Sequence, residues 1–209
     1  MNTRMLQTIV IVSVCYVAAQ IFADVASLRI IVLFGLAVDA GTLVYPFTFT
    51  LRDMVHKVAG VAIARTLIIV AAILNLVMAG LFWVAAQLPA DPQGGEQSDL
   101  FPLVLAPVIR IVIASIIAEI VSELIDTEMY KLWVKRFGKQ KQWGRVLLSN
   151  AISVPIDSVI FVLIAFAGVL PPAVVLQIFL VNVLMKGAVT IISIPGIYLV
   201  KDQNIKADA

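Results

Sequence analysis

Charge is scarce in this chain of 209 residues: Asp, Glu, Lys and Arg make up 13% of it, against 62% hydrophobic residues. Mean hydropathy is +1.06. Soluble domains are about 45–50% apolar and about 25% charged, so water is not the main solvent of this fold. There is one cysteine, Cys15, which excludes an intrachain disulfide and a thiolate metal cluster. It lies in an apolar run and reads as a small buried hydrophobe. There is one histidine, His56, so the two-histidine helix of a zinc metalloprotease is excluded. No phosphate-cradling loop of the ATP-binding type is present, so any energy from ATP must come from a partner. No cofactor or metal is expected, and neither is nucleic acid: the net charge is only +2 and its distribution tracks membrane topology.

What is present is a succession of long apolar runs. A spanning helix needs about 20 residues, so this length holds at most six or seven spans, and residues 1–209 form a single transmembrane domain. The first run, about 5–23, resembles a signal peptide but is longer than a signal core and lacks a small-x-small cleavage site. It is read as a retained first span. The stretch from Leu28 to Gly60 would make a helix of about 50 Å, too long for a hydrocarbon core of about 30 Å. A break is expected at Asp39-Ala40-Gly41, leaving 28–38 as an outer or re-entrant piece and 40–58 as the second span. Gly41 and Pro46 make that span irregular near its start, which is tolerated where backbone lines a cavity. Further spans are expected at 63–88, 106–130, 146–168 and 173–199. The fold class is all-α integral membrane with six transmembrane helices.

Lys and Arg accumulate on the cytoplasmic side of membrane proteins. Lys131, Lys135, Arg136, Lys139, Lys141 and Arg145 occupy one loop without an acid, whereas Asp91, Glu96 and Asp99 occupy another without a base. Six spans with both termini in the cytoplasm satisfy every loop, which suits a multi-pass protein of the cell (inner) membrane. Trp133 and Trp143 flank the basic loop as interfacial anchors. That loop also suits contact with anionic lipid of the bilayer.

Ionisable groups within hydrocarbon are costly and mark function by default. Ser115, Glu119, Ser122 and Asp126 follow steps of four, three and four, which puts them on one helical stripe facing an interior cavity. Asn150, Ser153 and Asp157 repeat the last three positions at the same spacing. Written together, Ser122-Glu-Leu-Ile-Asp126-Thr127 and Ser153-Val-Pro-Ile-Asp157-Ser158 suggest an internal repeat, and carriers often place their site between repeats. Asn182, Lys186, Thr190 and Ser193 form a third stripe. Lys186 stands alone in an apolar run and needs a carboxylate, for which Asp157 and Asp126 are the natural partners. Arg52, Asp53, His56 and Lys57 add charge to the second span, with Tyr45, Phe47 and Phe49 on the approach. The plainer reading is that these charges only hold the bundle together, and a single serine in a span more often bonds its own backbone. Buried pairs add little net stability over apolar packing, so a lined pocket accounts better for so many acceptors.

The same residues carry a family resemblance. The stretch Ala40 to Asp53 (AGTLVYPFTFTLRD), Arg110 to Ser115 leading to Ser122 and Asp126, Ser153 to Phe161, and Lys186 with Pro195 and Tyr198 resemble the VUT family of queuosine precursor transporters, over about residues 28–200. The resemblance implies a six-helix carrier that imports 7-deazaguanine bases for tRNA modification, not an enzyme. Its family-pattern residues here are Tyr45, Pro46, Asp53, Arg110, Ser115, Ser122, Asp126, Ser153, Asp157 and Lys186. His56-Lys57 stands where the family usually has Asn-Glu, and Glu123 and Val154 where it has Gln, departures that bear on the substrate more than on the fold. The expected partner is therefore a small nucleobase-like molecule. One carboxylate accepts the adjacent ring N–H and amine of such a base as a pair. Asp126 or Asp157 is the candidate for that role, Asn150 or Asn182 for the carbonyl side, and Phe47 or Phe49 for stacking. Asp53, Glu119 and Glu123 are candidates for proton uptake, although a facilitative carrier followed by intracellular trapping needs no coupling. Two alternatives are the membrane-embedded binding subunit of an ATP-driven importer and an intramembrane aspartyl enzyme built on Asp126 and Asp157. Association into a homo-oligomer is left open.

Overall fold

The computed structural model describes residues 3–137 and 142–199. Within its helices the side chains of Phe49, Asp53, His56, Lys57, Glu123, Asp126 and Trp143 lie outside the described residues. The elements in order are α1 (Thr3–Ala26), β1 (Ile30–Leu33), β2 (Leu36–Asp39), a 3-10 turn (Ala40–Leu43), α2 (Tyr45–Gln87), α3 (Gly95–Leu105), α4 (Val108–Phe137), α5 (Gln142–Phe166) and α6 (Pro172–Leu199).

The expected break between residues 28 and 45 is present, and its outer piece is a β-hairpin. β1 is rich in β-branched residues, which favour extended backbone, and pairs antiparallel with β2 from Ile30 opposite Asp39 to Leu33 opposite Leu36. The two residues between the strands, Phe34 and Gly35, both have positive φ, 50° and 81°. That is the turn that matches the twist of paired strands. The segment then packs back on the bundle: Gly41 lies so close to α1 that a Cβ there would meet Ser27 Oγ at 2.0 Å and the Ala23 carbonyl at 2.4 Å. Asp39 caps the 3-10 turn by accepting from the Thr42 amide at 3.1 Å, and Pro46 sits in the first turn of α2, where a missing N–H costs nothing.

α2 is broken at Gly60, whose φ of 84° and ψ of 170° fall in a region open essentially to glycine alone. The chain reverses there. Val12 of α1 shares one buried cluster with Val55 and Ala59 before the break and with Ala64 after it. Beyond the break, α2 climbs back until Met78, Ala79 and Phe82 pack with Leu28 at the far end of α1. The bundle therefore has six helical passes: α1, the two legs of α2, α4, α5 and α6. Five segments are long and apolar enough to cross a membrane, at Leu6–Ala26, Ala62–Gln87, Gly95–Ser122, Leu147–Phe166 and Pro172–Ile192. The sixth pass, the first leg of α2, falls short because Arg52, Asp53, His56 and Lys57 share it. It is tolerated there because it packs against α1 through Val55 and against α6 through Tyr45.

Three further features differ from expectation. The acidic loop contains the short helix α3, which ends at Ala106-Pro107 where proline interrupts the helix before α4. Trp133, expected as an interfacial anchor, lies against α5: a Cβ at Gly144 would meet its ring at 2.8 Å, so glycine lets the two helices close on the indole. The repeated serine–aspartate phrase does not pair across the bundle. α4 and α5 are antiparallel neighbours, and Asp126 lies about 16 Å along the axis from Ser115, whereas Asp157 lies at the level of the interior polar cluster.

Gly60→Ala forces the reversal into a strained backbone conformation, of the order of 1–3 kcal/mol, and lowers the unfolding temperature in detergent. Gly80→Ala, in an open helical site, leaves it unchanged or raises it slightly. Equal effects of the two substitutions would contradict the reversal.

Candidate functional site

Seven elements converge on one tight cleft, lined by Asp24 of α1 and Ser27 just after it, Asp39 of β2, Thr42 of the 3-10 turn, Tyr45 of α2, Ser115 of α4, Phe161 of α5, and Asn182 and Lys186 of α6. Its free volume is about 20 Å³, room for about one water molecule, so the cleft is closed in this conformation and must open to admit a small-molecule ligand. It lies in the half of the bundle nearer the hairpin, at the end opposite the two described chain ends.

Lys186, 5% exposed, pairs with the Asp157 carboxylate, itself 1% exposed. Of the two expected partners the structure brings up Asp157. The ammonium also lies 4.5 Å from the centroid of the Tyr45 ring, and the ring face adds a cation–π attraction that is strong where water is excluded. Asp157 Oδ1 has no hydrogen-bond partner among the described residues. Asn182 reaches the Thr42 hydroxyl, which donates to Asp39 Oδ2 at 2.8 Å. The Ser27 hydroxyl donates to Asp39 Oδ1 at 2.8 Å. Asp39 is thus bonded through both oxygens and holds the broken segment to α1.

The stripe on α4 faces α1. Ser115 Oγ donates to Asp24 Oδ1 at 2.8 Å, and Glu119 accepts from the Tyr16 hydroxyl at 3.1 Å, which in turn accepts from Gln20 Nε2 at 3.1 Å. Tyr16, Gln20 and Asp24 are four residues apart and form one stripe of their own. Ser122 takes the plainer role, bonding the Glu119 carbonyl of its own helix at 3.3 Å. Ser153 is buried and Asn150 half-buried on α5, inward of the cleft. Phe47, expected to stack on a ligand, is 58% exposed and turned away. Two residues of helix rotate the side chain about 200° from Tyr45, so the rings at the cleft are Tyr45 and Phe161. Phe49, Asp53 and Asp126 lie outside the described residues in their side chains. Arg110 donates to the carbonyls of Ile164 and Ala167, each at 2.6 Å, and so closes the C-terminal end of α5.

Sequence reasoning missed Asp24, Ser27, Thr42 and Phe161. Asp24 was lost by ending the first span at residue 23. The polar spacing of Tyr16, Gln20 and Asp24, judged like the stripe on α4, was the available signal.

Removing one partner of a closed ion pair strands the other, at about 3–5 kcal/mol, whereas replacing both by apolar residues is close to neutral. Lys186→Met is therefore expected to lower thermal stability sharply, and the double variant Asp157→Leu, Lys186→Met to restore most of it. A double variant no more stable than the single one would contradict the pairing.

The sequence profile of the family described as "Putative vitamin uptake transporter" matches residues 39–200. A protein described as "Probable queuosine precursor transporter" from Bacillus subtilis (strain 168) is 28% identical over 185 residues, covering 88% of this chain and 80% of that protein. No solved structure matches. The match runs from the last residue of β2 to the end of α6 and takes in most of the cleft wall. With its multi-pass apolar helices, the chain belongs to the vitamin uptake transporter family.

Proposed function

We infer that the protein imports a queuosine precursor, a 7-deazaguanine base, across the cytoplasmic membrane by binding it in this cleft. The observation that carries the reading is a buried polar cleft walled by aromatic rings. A deazaguanine is flat and neutral, with a carbonyl on one edge and an N–H and an amine side by side on the next. Asn182 and Lys186 offer donors to the carbonyl. Asp157, behind Lys186 and outside the cleft lining, holds the ammonium in place. The Tyr45 and Phe161 rings flank the plane. The similarity to a queuosine precursor transporter supports the substrate class.

The reaction is transport, with no bond made or broken. The direction follows from orientation: the end bearing Lys135 and Arg136 faces the cytoplasm by the positive-inside rule, and the cleft lies toward the outer end. The work is assigned to this chain alone, so the purified protein in liposomes transports without an ATPase.

Labelled 7-deazaguanine base is expected to enter such liposomes in competition with unlabelled deazaguanines and not with adenine, which lacks the carbonyl. Asn182→Ala is expected to reduce uptake about tenfold, the effect of one lost hydrogen bond to a buried polar partner. Adenine competing as well as deazaguanine would refute the edge reading. For orientation, single cysteines placed in a Cys15→Ser background are probed on whole cells with an impermeant thiol reagent. A cysteine at Ser98 is expected to label and one at Lys135 is not; the reverse pattern would invert the proposed direction.

A further inference from the structure

We propose that Asp24 is a proton-binding site, taking up one proton from the outer side with each substrate and releasing it to the cytoplasm. This rests on the reading of the protein as a carrier of a neutral base. Asp24 is 2% exposed. Its Oδ1 accepts a single hydroxyl, from Ser115, and its Oδ2, at the cleft, has no partner among the described residues.

The other acids at the cleft have what an anion needs. Asp39 takes three hydrogen bonds and caps a helical turn, and Asp157 has Lys186. From α2, Tyr45 presents its ring to Lys186 and offers Asp24 no positive charge. From α4, Glu119 adds negative charge and is bonded to Tyr16. The charge of Arg52 acts at Tyr16, about 12 Å along α1 from Asp24. One ammonium thus stands among three aspartates, and it is committed to Asp157. An unpaired carboxylate closed away from water costs several kcal/mol. Forming an O–H bond on Oδ2 removes that charge and leaves only the hydrogen-bonded Asp39 and the Asp157–Lys186 pair charged.

Asp24 also stands at a junction. Toward the hairpin it meets the cleft mouth at Ser27 and Thr42. In the other direction Gln20, Tyr16 and Glu119 continue a polar track toward the start of α1, where Glu119 can receive the proton that Asp24 gives up.

The test uses the full chain in liposomes, with labelled 7-deazaguanine and an imposed pH gradient, acid on the side of the cleft mouth. Wild type is expected to accumulate the base up to about tenfold per pH unit for one proton carried, and a protonophore is expected to abolish the accumulation. Asp24→Asn holds the site neutral, and its accumulation ratio is expected to fall to one at whatever rate of base entry it retains. Asp24→Glu is expected to retain accumulation with a shifted pH profile. Unchanged accumulation in Asp24→Asn would overturn the proposal, as would accumulation that needs sodium and ignores pH. Base transport by wild type with no response to pH would overturn the proton site while leaving the import reading intact; no base transport at all would overturn the import reading. Infrared spectra of the purified protein test the site without substrate: a protonated carboxyl band present in wild type and lost in Asp24→Asn supports it, and identical spectra refute it.

Discussion

A lysine ammonium enclosed within a membrane bundle has to be neutralised where it lies, and much of this architecture follows from how Lys186 meets that demand. Its carboxylate partner is on α5, its aromatic cover on α2, and its own helix is α6. Three elements distant in sequence must converge for the charge to be tolerable, and removing any one exposes a cost of several kcal/mol. The pair is thus a register mark: it sets the depth at which α5 and α6 cross and the point at which the first leg of α2 must begin. Tyr45 can reach Lys186 only because the chain before it is broken, and the break supplies the remaining wall of the cleft.

Irregular backbone inside hydrocarbon is tolerated only when each polar group finds a partner. In the segment between α1 and α2 many of them do. The Ser27 amide donates to Ala23, the Ala40 amide to Arg29 and the Val44 amide to Gly41, while the Ala37 amide donates across the bundle to Gln177 Oε1 at 2.9 Å. Gly41 permits the approach to α1, and the hairpin's apolar residues Leu28, Ile30 and Ala37 pack on the core shared by α4, α5 and α6. The hairpin is therefore anchored by polar and apolar contacts together.

Much of this was legible in the sequence. The length limit of a span forced a break near Asp39, and the break is there. The stripe of Ser115 and Glu119 does face inward, and Lys186 does find an aspartate of α5. What was not legible has physical causes. A hairpin of eight strand residues flanked by apolar helices has the same local composition as a helix end, so it was read only as an outer piece. The orientation of Phe47 against Tyr45 depends on where the helix begins, and one residue of error there turns a side chain by about 100°. Asp24 fell just past a span boundary drawn from hydropathy, because hydropathy scores a charge at a helix end as loop whether it faces water or a neighbouring helix.

The three aspartates of the cleft separate by what surrounds them, and that separation links fold to activity. Asp39 has both oxygens bonded and a helical turn to cap, so its charge is spent on architecture. Asp157, behind the cleft wall, has one oxygen held by Lys186, so its charge is balanced by that pair. Asp24 has one hydroxyl and no cation, so its charge is the one term in the closed cleft that nothing fixed offsets. A carrier must change its internal charge balance between its loaded and unloaded forms if anything other than substrate concentration is to drive it. Of the groups lining this cleft, only Asp24 can make that change without first breaking a contact that holds the bundle together.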